Sequence, residues 1–256
     1  MLPAVIRNNC LIGIVLTLAL LWPPPFSSVL MASPQSATSL NVKVNDDNLT
    51  PSEIMERVAE ESQRREARLR EYTVPSVYRV TTADGKVRAE AEVILSYRAP
   101  GSKEFKIISE KGSETVRNRV FKPLMEIEVE TAAGRNRHDG SLNRINYDFQ
   151  TAGSETINGH PCFVLLAVPR RPDKYLFRGR IWIHTADFSI VRIAGQPARN
   201  PSFWISRVEF VRNYQKIGDF WLPARNESLT QVKFFGRNVL TIDYGRYEIS
   251  PAARDS

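Results

Sequence analysis

The chain has 256 residues, of which 42% are hydrophobic and 25% charged, and its formal net charge is +7. This composition is typical of a globular protein and excludes a disordered or fibrous chain. The length allows one sizeable core or at most two small ones, and we expect one folded domain.

The first 37 residues are typical of a secretory signal peptide. After Arg7, the run LIGIVLTLALLW (11–22) is apolar and uncharged, and PPP follows it. Twelve residues rise about 18 Å as a helix, which is short of the roughly 30 Å hydrocarbon core, so an uncleaved membrane anchor is the weaker alternative. We expect cleavage after Ala32 or Ala37 and a soluble mature protein.

Cysteine usage favours a bacterial periplasm. Cys10 precedes the apolar run and cannot be the lipidated cysteine of a lipoprotein, so Cys162 is the sole cysteine of the expected mature chain. An exported chain of this length without a disulfide must be held by its core, which suits the periplasm. Cys162 opens the apolar strand CFVLLAV, and we expect a buried core thiol.

A polar linker and then a helix open the expected mature chain. Residues 38–49 are polar and irregular, which predicts the linker. Thr50 is placed to cap the helix, Pro51 stands at its first position, and Glu53 can close a capping box. We expect some twenty helical residues, Pro51 to Tyr72, with only the two ends firmly docked because charge interrupts the apolar stripe.

From Val77 onward, short runs with a period of two lie between turn signals such as ADG, APG, NG and KIGD. The run LMEIEVET (124–131) is predicted as one of these strands, and nothing between the strands is long enough for a crossover helix. The pattern predicts a mainly β domain over residues 50–251. Its antiparallel sheet of about ten strands must bend to bury one face, and the N-terminal helix is available to cover it.

A histidine, an aspartate and a serine lie within six residues: His184, Asp187 and Ser189. A hairpin turning at 185–188 would make His184 and Ser189 neighbours on one face. A serine nucleophile also needs a strained mounting and backbone donors for the oxyanion, and a hairpin offers neither. We interpret these side chains as polar residues at the rim and expect no enzymatic activity.

Metal, cofactor and nucleic-acid sites are not indicated. His138, His160 and His184 are more than twenty residues apart, and the sequence has no HExxH, CxxC or glycine-rich phosphate loop. Basic stretches such as RRPDK (170–174) favour solvated loop tips over nucleic-acid contacts in an exported protein. If these basic stretches bind a ligand, the ligand that fits a periplasmic location is an anionic lipid headgroup.

The strands CFVLLAV (162–168) and GRIWIH (179–184) do not alternate cleanly between apolar and polar residues. A half-buried sheet would show polar residues on its solvent face. Either something covers the second face of these strands, or that face is a binding surface.

Four runs stand in order between Ile157 and Ile249: INGHPCFVLLAVP, YLFRGRIWIHTADFSIVRI, VRNYQKIGDFWLPARNES and TIDYGRYEI. Their succession resembles the C-terminal half of the periplasmic outer-membrane lipoprotein-sorting proteins and their LolA-like relatives. The resemblance implies an incomplete antiparallel β-barrel, a half-barrel with helix in its mouth, whose apolar cavity takes up lipid acyl chains. It implies a carrier and not an enzyme, with no cofactor. Unlike the best-known carriers, this sequence shows no obvious helical lid segment inside the sheet.

The lipid-binding candidates lie on the central hairpin and the strand before it. The expected register gives one uniformly apolar face, which we predict to line the cavity or the core under the helix: Ile181, Ile183, Ile190, Phe163 and Leu165. Arg192 is expected beside the isoleucines, where it would orient a headgroup at the rim. Trp182, His184 and Ser189 share the other face.

The leading hypothesis is therefore a periplasmic carrier for lipid or lipoprotein acyl chains. An envelope membrane protein is compatible with this role as a partner. The alternative is a structural or sensory interaction module whose second apolar face docks a protein. A hollow inner face under the helix would favour the carrier, and a solid core would favour the interaction module.

Overall fold

The computed structural model describes residues 49–134, 140–200, 205–232 and 236–250. The signal peptide expected at residues 1–37 lies outside the described residues. So does the expected linker, apart from Leu49, and so does His138.

Helix α1, Pro51–Arg68, begins as the sequence predicts. The Thr50 hydroxyl accepts a hydrogen bond from the backbone N–H of Glu53, and the Glu53 carboxylate accepts one from the backbone N–H of Thr50 at 2.7 Å. The helix ends four residues before the predicted Tyr72. Strand β1 begins at Glu71, so Tyr72 belongs to the sheet and not to the helix, and its side chain is buried.

The described strands form one antiparallel sheet in the order β3-β2-β1-β10-β9-β8-β7-β6-β5-β4, with the short β11 paired to β1. Their bounds are β1 Glu71–Thr82, β2 Val87–Arg98, β3 Ser102–Gly112, β4 Tyr147–Ile157, β5 His160–Pro169, β6 Phe177–His184, β7 Ile190–Pro197, β8 Ile205–Ile217, β9 Phe220–Val232, β10 Gly236–Tyr244 and β11 Glu248–Ser250. Strands β3 and β4 are not paired with each other, so the curled sheet stays open. The predicted half-barrel of about ten strands is confirmed.

One predicted strand is wrong. Residues 114–132 are helical: α2 (Glu114–Val116), a π-helical turn (Arg117–Phe121) and α3 (Lys122–Ala132) follow one another without a break. We call this segment the inner helix. The alternation in LMEIEVET suggested a strand, but the buried side chains recur with the helical period once the segment is read from its start: Val116, Val120, Phe121, Leu124, Met125 and Glu128. The expectation that no helix lies inside the sheet is wrong for the same reason.

Both helices lie on one face of the sheet, which we call the inner face. Direct cross-strand partners share a face, and the pairing registers connect one row across seven strands: Tyr78, Ile242, Asn226, Arg212, Ile193, Ile181 and Leu165. Tyr78 packs with the inner helix at one end of this row, and Leu165 packs with α1 at the other. The opposite face is the outer face.

The inner face carries two apolar clusters. The first cluster joins β1, β2 and β10 to the inner helix, and the second joins β4 to β8 to helix α1. Between them, β9 turns three buried polar side chains to the inner face: Asn226, Ser228 and Thr230. We call these three residues the polar seam.

The polar seam is costly. The hydroxyl oxygens of Ser228 and Thr230 have no hydrogen-bond partner in the described part of the chain, whereas the Asn226 amide nitrogen donates to the Tyr244 hydroxyl at 3.2 Å. A buried hydroxyl without a partner costs about 1–3 kcal/mol. The seam therefore separates the two clusters and does not help to bind them together.

Within the described residues, neither α1 nor the inner helix is long and apolar enough to cross a membrane.

Candidate ligand-binding site

The five predicted apolar contacts all belong to the second cluster. Ile181, Ile183 and Leu165 have no solvent exposure, while Phe163 and Ile190 are half-buried at the edge of the cluster. They pack under the first half of α1, so the structure places them in the core beneath the helix.

Arg192 does not lie beside the isoleucines, and that part of the predicted site is wrong. Trp182 pairs with Arg192 and Ile183 pairs with Ile190, so Val191 is the extra residue of a β-bulge. The bulge moves Arg192 to the outer face, where its guanidinium carbon lies 5.1 Å from the centre of the Trp182 ring. The sequence pattern could not reveal the bulge, because a bulge depends on how two strands pair and not on the residue types within either strand.

A separate, smaller cluster explains why both faces of β5 and β6 are apolar. On the outer face, Cys162, Val164, Trp182 and Val191 form a small buried cluster, packed with part of Trp221. Burial raises the pKa of the Cys162 thiol to about 11, so this cysteine is a core thiol and not a nucleophile. The second apolar face is therefore already covered here.

The hairpin turns at 185–188 as predicted: the backbone N–H of His184 donates to the Ser189 carbonyl at 2.8 Å. His184 Nδ1 lies 2.9 Å from Asp187 Oδ1, but outside the direction of a hydrogen bond. Ser189 is 1% exposed, so a substrate carbonyl could not reach its hydroxyl. The three residues do not form a serine-nucleophile site.

Asp187 instead organises a cluster of contacts at the tips of two hairpins. Its Oδ2 accepts hydrogen bonds from Lys216 Nζ and Trp221 Nε1, each at 3.1 Å, and its Oδ1 accepts one from the Ser189 backbone. Burial alone would raise the pKa of Asp187, but the hydrogen bonds from Ser189, Trp221 and Lys216 outweigh burial and hold that pKa well below its usual range. Asp187 therefore acts as a charged anchor between the β6–β7 and β8–β9 tips.

Helix α1 is held differently along its two halves. The first half buries three apolar side chains in the second cluster: Ile54, Met55 and Val58. The second half, residues 61–68, buries none. It touches the hairpin tips through a hydrogen bond from Arg65 Nη1 to the Asp187 carbonyl at 3.0 Å and an exposed ion pair between Arg68 and Asp219 at 3.2 Å.

A pocket of about 370 Å³ lies beside this weakly held half of α1. Its volume falls within the roughly 300–1,000 Å³ of typical ligand pockets. Residues from the end of α1, the end of β2 and the starts of β1, β3 and β9 line it, including Glu66, Arg70, Tyr72, Tyr97, Lys103 and Leu222.

The lining of this pocket is apolar on one side and charged on the other. Tyr72 and Tyr97 stack with their ring centres 5.1 Å apart, and Leu222 lies in the same first cluster. Lys103 Nζ bonds the buried carboxylate of Glu128, on the inner helix, at 2.8 Å. Burial and the nearby Glu66 raise the pKa of Tyr97, so the ring presents a neutral hydroxyl. An amphipathic ligand fits such a lining better than a purely apolar one.

Sequence reasoning missed this pocket. The sequence prediction places Tyr72 in the helix and does not single out Tyr97 or Lys103. The signal that could have found it is the pair of tyrosines, Tyr72 and Tyr97, on strands joined by one hairpin. In the structure they are direct cross-strand partners.

A second recess lies on the outer face, across β1, β2, β3 and β10. It has a volume of about 480 Å³ and an almost wholly apolar surface that includes Pro75, Val77, Ile94 and Ile108. No three His, Cys, Asp or Glu side chains among the described residues are grouped so that they could hold a metal ion.

No protein-family model matches this sequence, and no curated protein is similar to it. Several solved structures are similar to the fold. A DUF1329 family protein from Desulfovibrio piger has a TM-score of 0.41 and 13% identity, over 81% of this chain and 96% of that chain. An outer membrane lipoprotein-sorting protein domain from Vibrio parahaemolyticus has a TM-score of 0.38 and 14% identity, over 77% and 93%. A LolA superfamily protein from Nitrosomonas europaea has a TM-score of 0.36 and 12% identity, over 80% and 96%.

Proposed function

We propose that this protein is a non-enzymatic carrier that binds the acyl chains of a lipid or lipoprotein on the inner face of the half-barrel. The export signal expected in residues 1–37 supports a periplasmic location for this role. The half-barrel fold and the amphipathic pocket beside α1 support a ligand with an apolar chain and a polar head.

The unequal attachment of helix α1 is the observation that carries the proposal. Burying an aliphatic side chain contributes about 1.5–3 kcal/mol, whereas an exposed ion pair contributes about 0–1 kcal/mol. The first half of α1 is thus fixed by Ile54, Met55 and Val58, whereas the second half buries no side chain and makes polar contacts such as Arg68 with Asp219. The second half can therefore move away from the sheet at lower cost than the first half and open the inner face next to the pocket.

Apolar contact would dominate the affinity. A dozen buried CH₂ groups would contribute roughly 10 kcal/mol gross at about 0.8 kcal/mol each, far more than one exposed ion pair. The charged side of the pocket would orient the polar head, and the tyrosines and Leu222 would receive the start of the chain.

The first experiment is native mass spectrometry of the protein purified from a bacterial envelope. We expect co-purifying lipid or acylated protein. Repeated absence of any such ligand would count against the carrier.

Site-directed variants then place the ligand. Ala67 is exposed on α1 and lines the pocket, so Ala67→Trp should fill the entrance and reduce uptake of a fluorescent fatty acid. Gln63→Trp is the matched control, because it adds the same side chain to an exposed position of α1 that does not line the pocket. Equal uptake by both variants would exclude this pocket as the entrance.

The second candidate function is an interaction module that docks a protein partner. Complete burial of Ile181, Ile183 and Leu165 favours it, because that part of the inner face packs as a solid core. The apolar recess on the outer face offers a docking surface. Lipid-free protein that captures a partner, and loses it with Val77→Glu on that recess, would support this function over the carrier.

A further inference from the structure

Strand β3 forms one edge of the sheet. It pairs only with β2 among the described elements, so the outer side of an eleven-residue strand has no neighbouring strand there. An unpaired edge offers a row of N–H and C=O groups on which another strand can pair. Four large apolar side chains are exposed in the described part of the chain, and two of them, Ile107 and Ile108, lie side by side in the middle of this strand.

We propose that β3 pairs antiparallel with β3 of a second copy of this chain, across a two-fold axis between Ile107 and Ile108. This association is separate from ligand binding on the inner face. It would join two half-barrels into one continuous sheet and bring the two Ile107 side chains together on the inner face and the two Ile108 side chains together on the outer face.

The pleat restricts the possible registers. A β-bulge at Ile108 shifts the alternation of β3, because Val93 pairs with Ile107 and Glu92 pairs with Ser109. Before the bulge the even-numbered residues face outward from the sheet, and after it the odd-numbered residues do. Two copies therefore match face to face only in registers whose paired residue numbers add up to an odd number.

The proposed register has that property, and it places opposite charges together. Glu104 of each copy lies opposite Lys111 of the other, on the outer face, which gives two complementary pairs per dimer. Neither side chain has an ion-pair partner among the described residues, and both are exposed. Lys106 would oppose pairing if another lysine lay across from it, but in this register it lies opposite the uncharged Ser109.

The two neighbouring registers with matching faces are worse. A shift in one direction places Lys106 opposite Lys111 twice, which is repulsive. A shift in the other direction places Lys103 opposite Glu110, but Lys103 already pairs with the buried Glu128 at 2.8 Å and Glu110 lies 3.8 Å from Arg117. Charge therefore selects the register centred between the two isoleucines.

Reversed charges test the register directly. Glu104→Lys alone and Lys111→Glu alone should each weaken self-association about tenfold, since each places two like-charge pairs in the dimer. An equimolar mixture of these two variants should associate again. In the mixed dimer the lysine introduced at position 104 of one copy meets the glutamate introduced at position 111 of the other, and the unchanged Glu104 meets the unchanged Lys111. The double variant should also self-associate. Sedimentation velocity over a concentration series measures all of these states.

Glu248→Lys and Lys86→Glu are the matched controls, because they make the same charge changes at exposed positions away from β3. Both should associate like the unchanged protein. A protein that is monomeric throughout the concentration series overturns the proposal. So does a dimer that the single variants leave intact, or a failure of the mixture to associate although both variants show the circular dichroism of the unchanged protein. Capture of a different protein by an unpaired β3 edge would likewise overturn it.

Discussion

The two apolar clusters of the inner face are covered by helices of opposite character. The inner helix buries side chains from Val116 to Glu128 along its whole length, and its last residue, Ala132, reaches the β2–β3 turn. Helix α1 buries side chains only in its first half and leaves the second half attached by polar contacts. Coverage of a sheet by a helix is therefore not one property: the inner helix is part of the core along its whole length, and α1 is part of the core only in its first half.

The polar seam lies between the parts of the inner face that the two helices cover. Asn226, Ser228 and Thr230 separate the first cluster, under the inner helix, from the second cluster, under the first half of α1. The pocket lies where the second half of α1 meets residues of the first cluster such as Tyr72 and Leu222.

The largest effect is expected from a charge placed in the second cluster. Ile183 is fully buried, so Ile183→Asp would strand a carboxylate without a partner and cost several kcal/mol, enough to prevent folding. Ile183→Val should cost only about 0.5–1.5 kcal/mol and keep the fold. Urea unfolding measures both. A folded, stable Ile183→Asp protein would show that this cluster is wet and hollow.

Truncation under each helix compares the two clusters. Phe121 is fully buried in the inner helix, and Phe121→Ala should lower the free energy of unfolding by about 3–5 kcal/mol. Met55→Ala, in α1, should cost about 2–5 kcal/mol in global unfolding and should also increase hydrogen exchange in α1 specifically. If Phe121→Ala increased hydrogen exchange only in the inner helix, both helices would respond locally to truncation, and the proposed difference between them would be refuted.

Acid should weaken the anchor at the hairpin tips. The pKa of Asp187 is depressed in the folded state, so its stabilisation is fully present above the ordinary aspartate pKa of about 4, declines as the pH falls below that value, and is lost only as the pH falls through the lower folded-state pKa. Asp187→Asn should therefore be less stable than the unchanged protein at pH 7, and the difference should narrow as the pH is lowered to 3. A difference in unfolding free energy that stays constant over this range would contradict the depressed pKa.

The smallest effect is expected in the second half of α1. Arg68→Ala removes an exposed ion pair with Asp219 and should cost about 0–1 kcal/mol in global stability. Hydrogen exchange should nevertheless rise in residues 61–68 and stay unchanged in residues 51–60. Exchange that rises equally along α1 would show that the helix moves as one body.

The sequence was sufficient for local features. The capping box at Thr50 and Glu53 and the NG hairpin were predicted because each depends on a few neighbouring residues. Asn158 and Gly159 both have positive φ angles, 51° and 82°, as a two-residue hairpin turn requires. The isoleucine face was predicted because successive side chains of a strand point to opposite faces of the sheet, which is a local property as well.

Features that depend on distant partners were not predicted. The bulge that turns Arg192 outward is set by packing between strands, and the pocket requires Tyr97 and Lys103 to meet the end of α1. The inner helix was missed because a short apolar alternation fits both periods, and only its buried partner strands decide between them. Arg212 is 5% exposed on the inner face, and nothing in the sequence indicates that this arginine is buried.

The pairing of β1 with β10 and β11 has a consequence for how the chain folds. Ser76 pairs with Tyr244 and Tyr72 with Ile249, so the first cluster cannot close until residues 244–249 are available to pair with β1. Contacts of such long sequence separation make folding slow, because the long intervening loop must be closed before these contacts can form. The second cluster joins β4 to β8 and does not need these residues, so it can form before the first cluster closes.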